Sequence, residues 1–224
     1  MTTFGLAAAK LTVFAAASLT GVFPQIDKAP RYSFAGSDQL AFQIEQGAPA
    51  DVYAAASSKY PQQLHAKGLV SKPRVFATNE LVLIVPRANE AGIRSVYDLR
   101  KRGLRIVIGA KGVPVGAYTR KALAALGLSS VLKNVVSEES DVKAVVAKVA
   151  LGEADAGFVY RTDARAAARD LRQLSLPARA RPKIAYELAV VKGTKHLQAA
   201  RAFVARVLGA RGRLALRRAG FGLP

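Results

Sequence analysis

Four short stretches of this chain share one chemical character. Residues 16–20 (AASLT), 35–40 (AGSDQL), 112–118 (GVPVGAY) and 137–142 (SEESDV) place small, hydroxylic or glycine-flanked residues where a strand or turn passes into a helical pattern. A helix start carries N–H groups without intrahelical partners and a partial positive charge, and both suit an anion. The serines have a plainer use as well. Ser18, Ser37 and Ser140 fit the N-cap position, where a hydroxyl accepts from the first turn. From the residues alone, both uses stand.

The groups that carry acid–base or metal chemistry are sparse. Cysteine is absent, which removes disulfides and thiolate metal sites. His65 and His196 lie on polar helical stretches with no metal-type spacing and read as surface residues. No G-x-S-x-G, H-E-x-x-H or Walker sequence occurs. Glu138-Glu139 sits just before a helix and reads as charge placed at the positive end of its dipole. General acid–base work would need a buried, perturbed pair instead. The chain is therefore not expected to be an enzyme or to carry a cofactor.

Apolar runs alternate with helical patterns along nearly the whole sequence, the signature of an α/β architecture with mainly parallel sheets. Strands are expected at Leu11 to Ala17, Tyr32 to Ala35, Asp51 to Ala55, Arg105 to Ile108, Asn134 to Val136, Ala156 to Tyr160 and Ile184 to Val191. Helices are expected from Ser37 to a stop at Gly47, from Lys59 to Ala66, over 96–101, and from Val115 to Leu126. Further helices are expected at Asp141 to Leu151, Thr162 to Ala168, His196 to Leu208 and Gly212 to Ala219. In open parallel sheets the helix starts lie at the carboxyl ends of the strands, where ligands bind.

The run Val75 to Val85 (VFATNELVLIV) is too long for a simple buried strand and is expected to pass between two lobes as a hinge. With the apolar strand near residue 187 it brackets the middle of the chain. The lobes are expected to be 1–82 plus 186–224, and 86–182, closing on a ligand by hinge motion.

With 34 basic and 15 acidic residues the net charge is +19, which attracts anions, polyanions or anionic surfaces at long range. From Leu188 to Pro224 there are basic residues and no acidic ones, so nucleic-acid binding is a distant alternative. Against it, the basic residues lack aromatic interleaving and any nucleic-acid-binding pattern. The apolar segment Leu6 to Leu19 resembles a signal-peptide core, but Lys10 interrupts it and no basic segment precedes it. A first strand is expected there, with any export signal already removed.

Several segments closely resemble periplasmic molybdate-binding proteins, the substrate-binding components of ABC importers. These are VFAAASLT (13–20), FAGSDQLAFQIEQGAPADVYAAA (34–56), GVPVGAY (112–118), DVKAVVAKVALGEADAGFVYRTDA (141–164) and RRAGFGLP (217–224). The resemblance runs in order over nearly the whole chain. It implies the two-lobed periplasmic-binding-protein fold of type II, a periplasmic location, a membrane permease as partner and molybdate or tungstate as ligand.

By motif, the resemblance places the ligand on the hydroxyls of Ser18, Ser37 and Tyr160 and on the backbone N–H groups of Val115 and Val142. These groups would touch the oxyanion oxygens and not the metal atom. The segment from Ser18 to Ser37 is shorter than in the better-known members and contains Pro24 and Pro30, so the first helix is expected to be clipped.

A fully deprotonated dianion only accepts hydrogen bonds, so a donor-only site suits it. Phosphate at neutral pH carries a proton and needs an acceptor. Sulfate is smaller but otherwise alike, which leaves it as the alternative ligand on the same architecture.

Overall fold

The computed structural model describes residues 11–224; Leu6 to Lys10 of the signal-like segment lie outside them. Among the described residues ten strands form two five-stranded sheets. The first contains β1 (Thr12–Ala16), β2 (Arg31–Ala35), β3 (Val52–Ala55), β4 (Arg74–Asn79) and β10 (Ile184–Val190), in the order β2-β1-β3-β10-β4. The second contains β5 (Leu81–Pro86), β6 (Ile106–Gly109), β7 (Val135–Glu139), β8 (Ala156–Tyr160) and β9 (Leu171–Ser175), in the order β7-β6-β8-β5-β9.

One strand in each sheet runs against the others: β10 in the first and β5 in the second. These are the strands the chain enters on crossing from the other sheet. The crossover units β2-β1-β3 and β7-β6-β8 are parallel, as the alternation of strands and helices demands.

The long apolar run around residue 80 is not one strand. It divides into β4 and β5 with Glu80 alone between them, and the halves belong to different sheets. Leu81 and Val82, assigned by the sequence to the first lobe, pair with β8 and β9. The physical cause is the polar pair Asn79-Glu80 inside the run. The Glu80 carboxylate is held by Arg161 at 2.8 Å and Arg181 at 3.4 Å, and its carbonyl accepts the Arg161 N–H. Strand β9, absent from the sequence reading, is an edge strand whose residues are largely exposed, so its apolar alternation is weak.

Among the described residues eight α-helices cover the sheets: α1 (Phe23–Ile26), α2 (Ser37–Glu45), α3 (Lys59–Ala66), α4 (Pro114–Ala125), α5 (Val142–Ala150), α6 (Arg161–Ala166), α7 (Leu197–Leu208) and α8 (Ala210–Ala219). The expected helix over 96–101 is a 3-10 helix, Val96–Arg100, closed by a Ser95/Asp98 capping box. The first helix is clipped as anticipated. A 3-10 turn at Ala17–Leu19 is followed by the four-residue α1, with Pro24 in its first turn.

Alternation along β1 sends successive side chains to opposite faces. Val13 and Ala15 enter a core cluster continuous through both sheets, while Phe14 packs with Leu40, Ile44, Tyr53 and Leu64 beneath α2 and α3. Leu40 and Ile44, one helical turn apart, fix which face of α2 lies down, and each contributes roughly 1.5–3 kcal/mol of burial. On the far side Arg201, Arg211, Arg213, Arg217 and Arg218 of α7 and α8 are exposed. Among the described residues no helix is long and apolar enough to cross a membrane.

Candidate functional site

The carboxyl ends of β1, β2, β3, β6 and β8 meet around one small cavity of about 10 Å³. Ser18, Ser37, Val115, Val142 and Tyr160 all line it, although they come from five separate segments and from both sheets. The remaining wall is mostly alanine, glycine, valine and proline, with Asp141 as its one ionisable carboxyl group.

Ser18, Ser37 and Ser140 do not serve as helix caps. Ser18 lies inside the 3-10 turn after β1, is almost fully buried, and has its Oγ 2.9 Å from the Tyr186 hydroxyl. Ser37 is the first residue of α2, behind Gly36 at the N-cap, and its Oγ accepts the backbone N–H of Ala56 at 3.1 Å. The cap of α5 is Asp141 and not Ser140: its carboxylate accepts from Lys143 N at 2.6 Å and Ala144 N at 3.1 Å. That leaves the N–H of Val142 without an intrahelical partner.

The start of α4 is open for a different reason. Val113 at its N-cap offers no acceptor and Pro114 has no N–H, so Val115 carries the first free donor. Gly116 lets this turn sit against the end of β6, since a Cβ there would come within 2.1 Å of the Gly109 carbonyl oxygen. The two halves of the cavity also touch directly: a Cβ on Gly36 would meet the Ser140 carbonyl oxygen at 2.4 Å.

The Tyr160 hydroxyl is buried at the cavity and has no hydrogen-bond partner among the described residues. Burial pushes its pKa well above the usual range, and the neighbouring Tyr186, Tyr118 and Asp163 push the same way. It therefore keeps its proton and can donate. An unpaired buried hydroxyl costs roughly 1–3 kcal/mol unless a ligand meets it. Behind it, Asp163 is buried with Lys143 Nζ 2.7 Å from its Oδ1; burial raises the carboxyl pKa and Lys143 opposes the rise.

No lysine or arginine lines the cavity, and Asp141 is already engaged with backbone N–H groups. What remains is a set of neutral donors. Such a set matches a small anion that only accepts.

Two further residues of this region escaped the sequence reading. Tyr186, on β10, contacts Ser18, and Asn79, at the end of β4, donates to Thr162 Oγ1 at 2.9 Å and to Tyr186 Oη at 3.3 Å. Asn79 left a trace as a polar residue in an apolar run. Tyr186 left none, because a tyrosine in a strand reads as core.

The other titratable groups are accounted for elsewhere. Glu138 and Glu139 do not sit at a helix start: they end β7, where Glu138 pairs with Arg120 and Glu139 with Lys148 at 2.8 Å. His65 Nδ1 lies 3.1 Å from the Val70 carbonyl oxygen. His196 is only part-exposed, with Nδ1 3.1 Å from Asp51 Oδ1. No metal-ligating cluster occurs among the described residues. A wider depression of about 840 Å³ at the opposite ends of β1 and β3 surrounds Asp51, whose oxygens are already taken by Thr12 N, Thr194 and His196.

Residues 11–222 match the bacterial extracellular solute-binding proteins. The chain belongs to that family. As a solute-binding protein it works outside the cytoplasm, is not an enzyme, and has the two-lobed periplasmic-binding fold of type II. The molybdate-binding protein ModA of Mycobacterium tuberculosis is 39% identical over 227 residues, covering 97% of this chain and 86% of the relative. The periplasmic molybdate-binding protein of Azotobacter vinelandii superposes with a TM-score of 0.85 at 25% identity, covering 96% of this chain and 100% of that one. The sulfate-binding protein SubI of Mycobacterium tuberculosis shares the fold, with a TM-score of 0.81 at 19% identity over 95% of this chain and 86% of that one.

Proposed function

We propose that this solute-binding protein takes molybdate or tungstate into the cavity between its sheets and hands it to the membrane permease of an ABC importer. The observation that carries the reading is a buried ring of neutral donors with one, the Tyr160 hydroxyl, left unpaired. In this reading the hydroxyls of Ser18, Ser37 and Tyr160 and the N–H groups of Val115 and Val142 each donate to an oxygen of the ion. A hydrogen bond to a charged partner contributes about 1.5–3 kcal/mol, so several together offset the dianion's lost hydration. The ion is cargo, and no cofactor takes part.

In this proposal the two lobes are those built on the two sheets, hinged at Glu80 and ahead of β10 in place of the expected bounds 82/86 and 182/186. Because donors come from both, the ion favours the closed form, and closure is the state the permease recognises. The protein acts as a monomer. In this reading it binds no nucleic acid, since the exposed arginines of α7 and α8 have no exposed aromatic side chains between them.

Sulfate is the second reading, because it too carries no proton at neutral pH and the cavity wall is donor-rich. A thermal-shift panel of oxyanions separates the two. Molybdate and tungstate are expected to stabilise most, by about 2.7 kcal/mol at a hundred times Kd. Sulfate should stabilise less and phosphate not at all. No shift with any of them rejects the proposal.

A further inference from the structure

The hydrogen bonds behind Ser18 run in one direction. Asn79 Oδ1 accepts the backbone N–H of Glu80 at 2.9 Å. A backbone N–H only donates, so this bond fixes which end of the amide is oxygen. The Nδ2 end therefore faces Thr162 Oγ1 at 2.9 Å and Tyr186 Oη at 3.3 Å, and an amide nitrogen only donates. Tyr186 thus receives a hydrogen bond from Asn79 and has its own proton left to give. Its neighbour at 2.9 Å is Ser18 Oγ. No other partner of the Tyr186 hydroxyl occurs among the described residues, so its proton goes to Ser18 Oγ, which keeps its own for the cavity.

Ser37 is set in the same sense by a different group. The Ala56 N–H donates into its Oγ, so the Ser37 proton is also free for an acceptor in the cavity. Both serines are therefore fixed as donors before any ion arrives.

We infer that Tyr186 and Asn79 are specificity-determining positioning residues, which lock Ser18 as a donor so that the site selects oxyanions carrying no proton. The inference rests on the oxyanion reading above and deepens it from which groups touch the ion to what sets their polarity. A singly protonated ion such as hydrogen phosphate must donate one bond. Among the hydroxyls it meets Ser18 and Ser37 already donating, so it must reverse Tyr160 and lose that donation, or give its proton to the Asp141 carboxylate that caps α5. Neither Tyr186 nor Asn79 touches the ion. Both act through Ser18.

The test uses pairs of ions that differ in protonation more than in size: sulfate against phosphate, and molybdate against arsenate, by calorimetry at neutral pH. The wild-type chain is expected to prefer the unprotonated member of each pair by at least about tenfold, the scale of one lost hydrogen bond. Tyr186→Phe removes the donor to Ser18, frees that lone pair for the ion's own proton, and is expected to cut the preference at least about fivefold. Asn79→Asp keeps the size of the side chain but only accepts. It draws the Tyr186 proton towards residue 79, turns Ser18 round, and lowers the preference further.

The added charge of Asn79→Asp weakens every anion alike, which is why the ratio is the readout. Ratios unchanged in both variants, with all ions weakened equally, would reduce the pair to a structural role and overturn the inference. A ligand-free measurement is independent of the cargo: by proton NMR the buried Tyr186 hydroxyl proton should show contacts to the Ser18 β-protons, and should lose them in Asn79→Asp. Their absence from the wild type also overturns it. Failure of molybdate alone, with the sulfate ratio behaving as expected, rejects the proposed cargo and leaves the relay standing.

Discussion

The Ser37 Oγ accepts the backbone N–H of Ala56 at 3.1 Å, tying the first residue of α2 to the residue that follows β3. One hydroxyl thus satisfies a buried backbone donor and turns its own proton into the cavity. Ser37→Ala is expected to lower both functions together. The orphaned Ala56 N–H should cost about 1–3 kcal/mol of stability. Urea unfolding and molybdate calorimetry on the same preparation check this; a loss of affinity with unchanged stability would contradict the shared role.

Tyr160 should behave in the opposite way. Its hydroxyl has no partner among the described residues, so Tyr160→Phe removes an unsatisfied buried group. The ligand-free variant should be as stable as the wild type, or more stable by up to about 1 kcal/mol, while molybdate binding weakens at least about tenfold. Melting curves with and without molybdate read both effects. A destabilised ligand-free variant would mean that the hydroxyl has a protein partner after all.

Asp141 caps α5 without taking the Val142 N–H. Asp141→Ala should cost about 1 kcal/mol of stability. Affinity should fall as well, because an unfixed first turn holds the Val142 donor less firmly. Asp141→Asn, which retains a capping oxygen, should restore most of both, as read by chemical unfolding and calorimetry.

Glu139 gives a pH prediction. Burial alone would raise its pKa, but hydrogen bonds from Lys148 and Ser137 outweigh it and hold the carboxyl below its ordinary value of 4.5. A depressed folded pKa means that the unfolded chain binds the proton more readily. The stabilisation is therefore present above pH 4.5 and disappears as pH falls through the lower, folded value. Glu139→Gln should flatten that part of the stability profile below pH 4.5 in denaturant titrations. A wild-type slope unchanged in the variant would refute the assignment.

The high positive charge allows a fifth prediction. Because the cavity donors are neutral and buried, salt should alter molybdate affinity only slightly, whereas a polyanion contact weakens steeply with salt. Retardation of duplex DNA at physiological salt is not expected. A salt-sensitive complex in a gel would contradict that expectation.

Much of this protein is written locally. The crossover units, the stop at Gly47, and the helix starts follow from apolar period, glycine placement and missing caps, all of which act within a few residues. The segments that carry Ser18, Ser37, Val115, Val142 and Tyr160 were legible for the same reason, since a helix beginning at a strand end exposes the same N–H groups wherever it occurs. Local signals could not decide whether a serine caps its own helix or faces a cavity. Asp141 and the uncapped Gly36 and Val113 settle that only once the turns are seen in three dimensions.

The break at Glu80, the positions of Glu138 and Glu139, and the chain from Asn79 through Tyr186 to Ser18 belong to the tertiary structure alone. Tyr186 and Ser18 are 168 residues apart, and no periodicity links them. The sequence by itself determined which segments could offer donors. The direction of those donors depended on which distant side chain came to lie behind each serine, because a hydroxyl's proton goes wherever its other neighbours leave room for it.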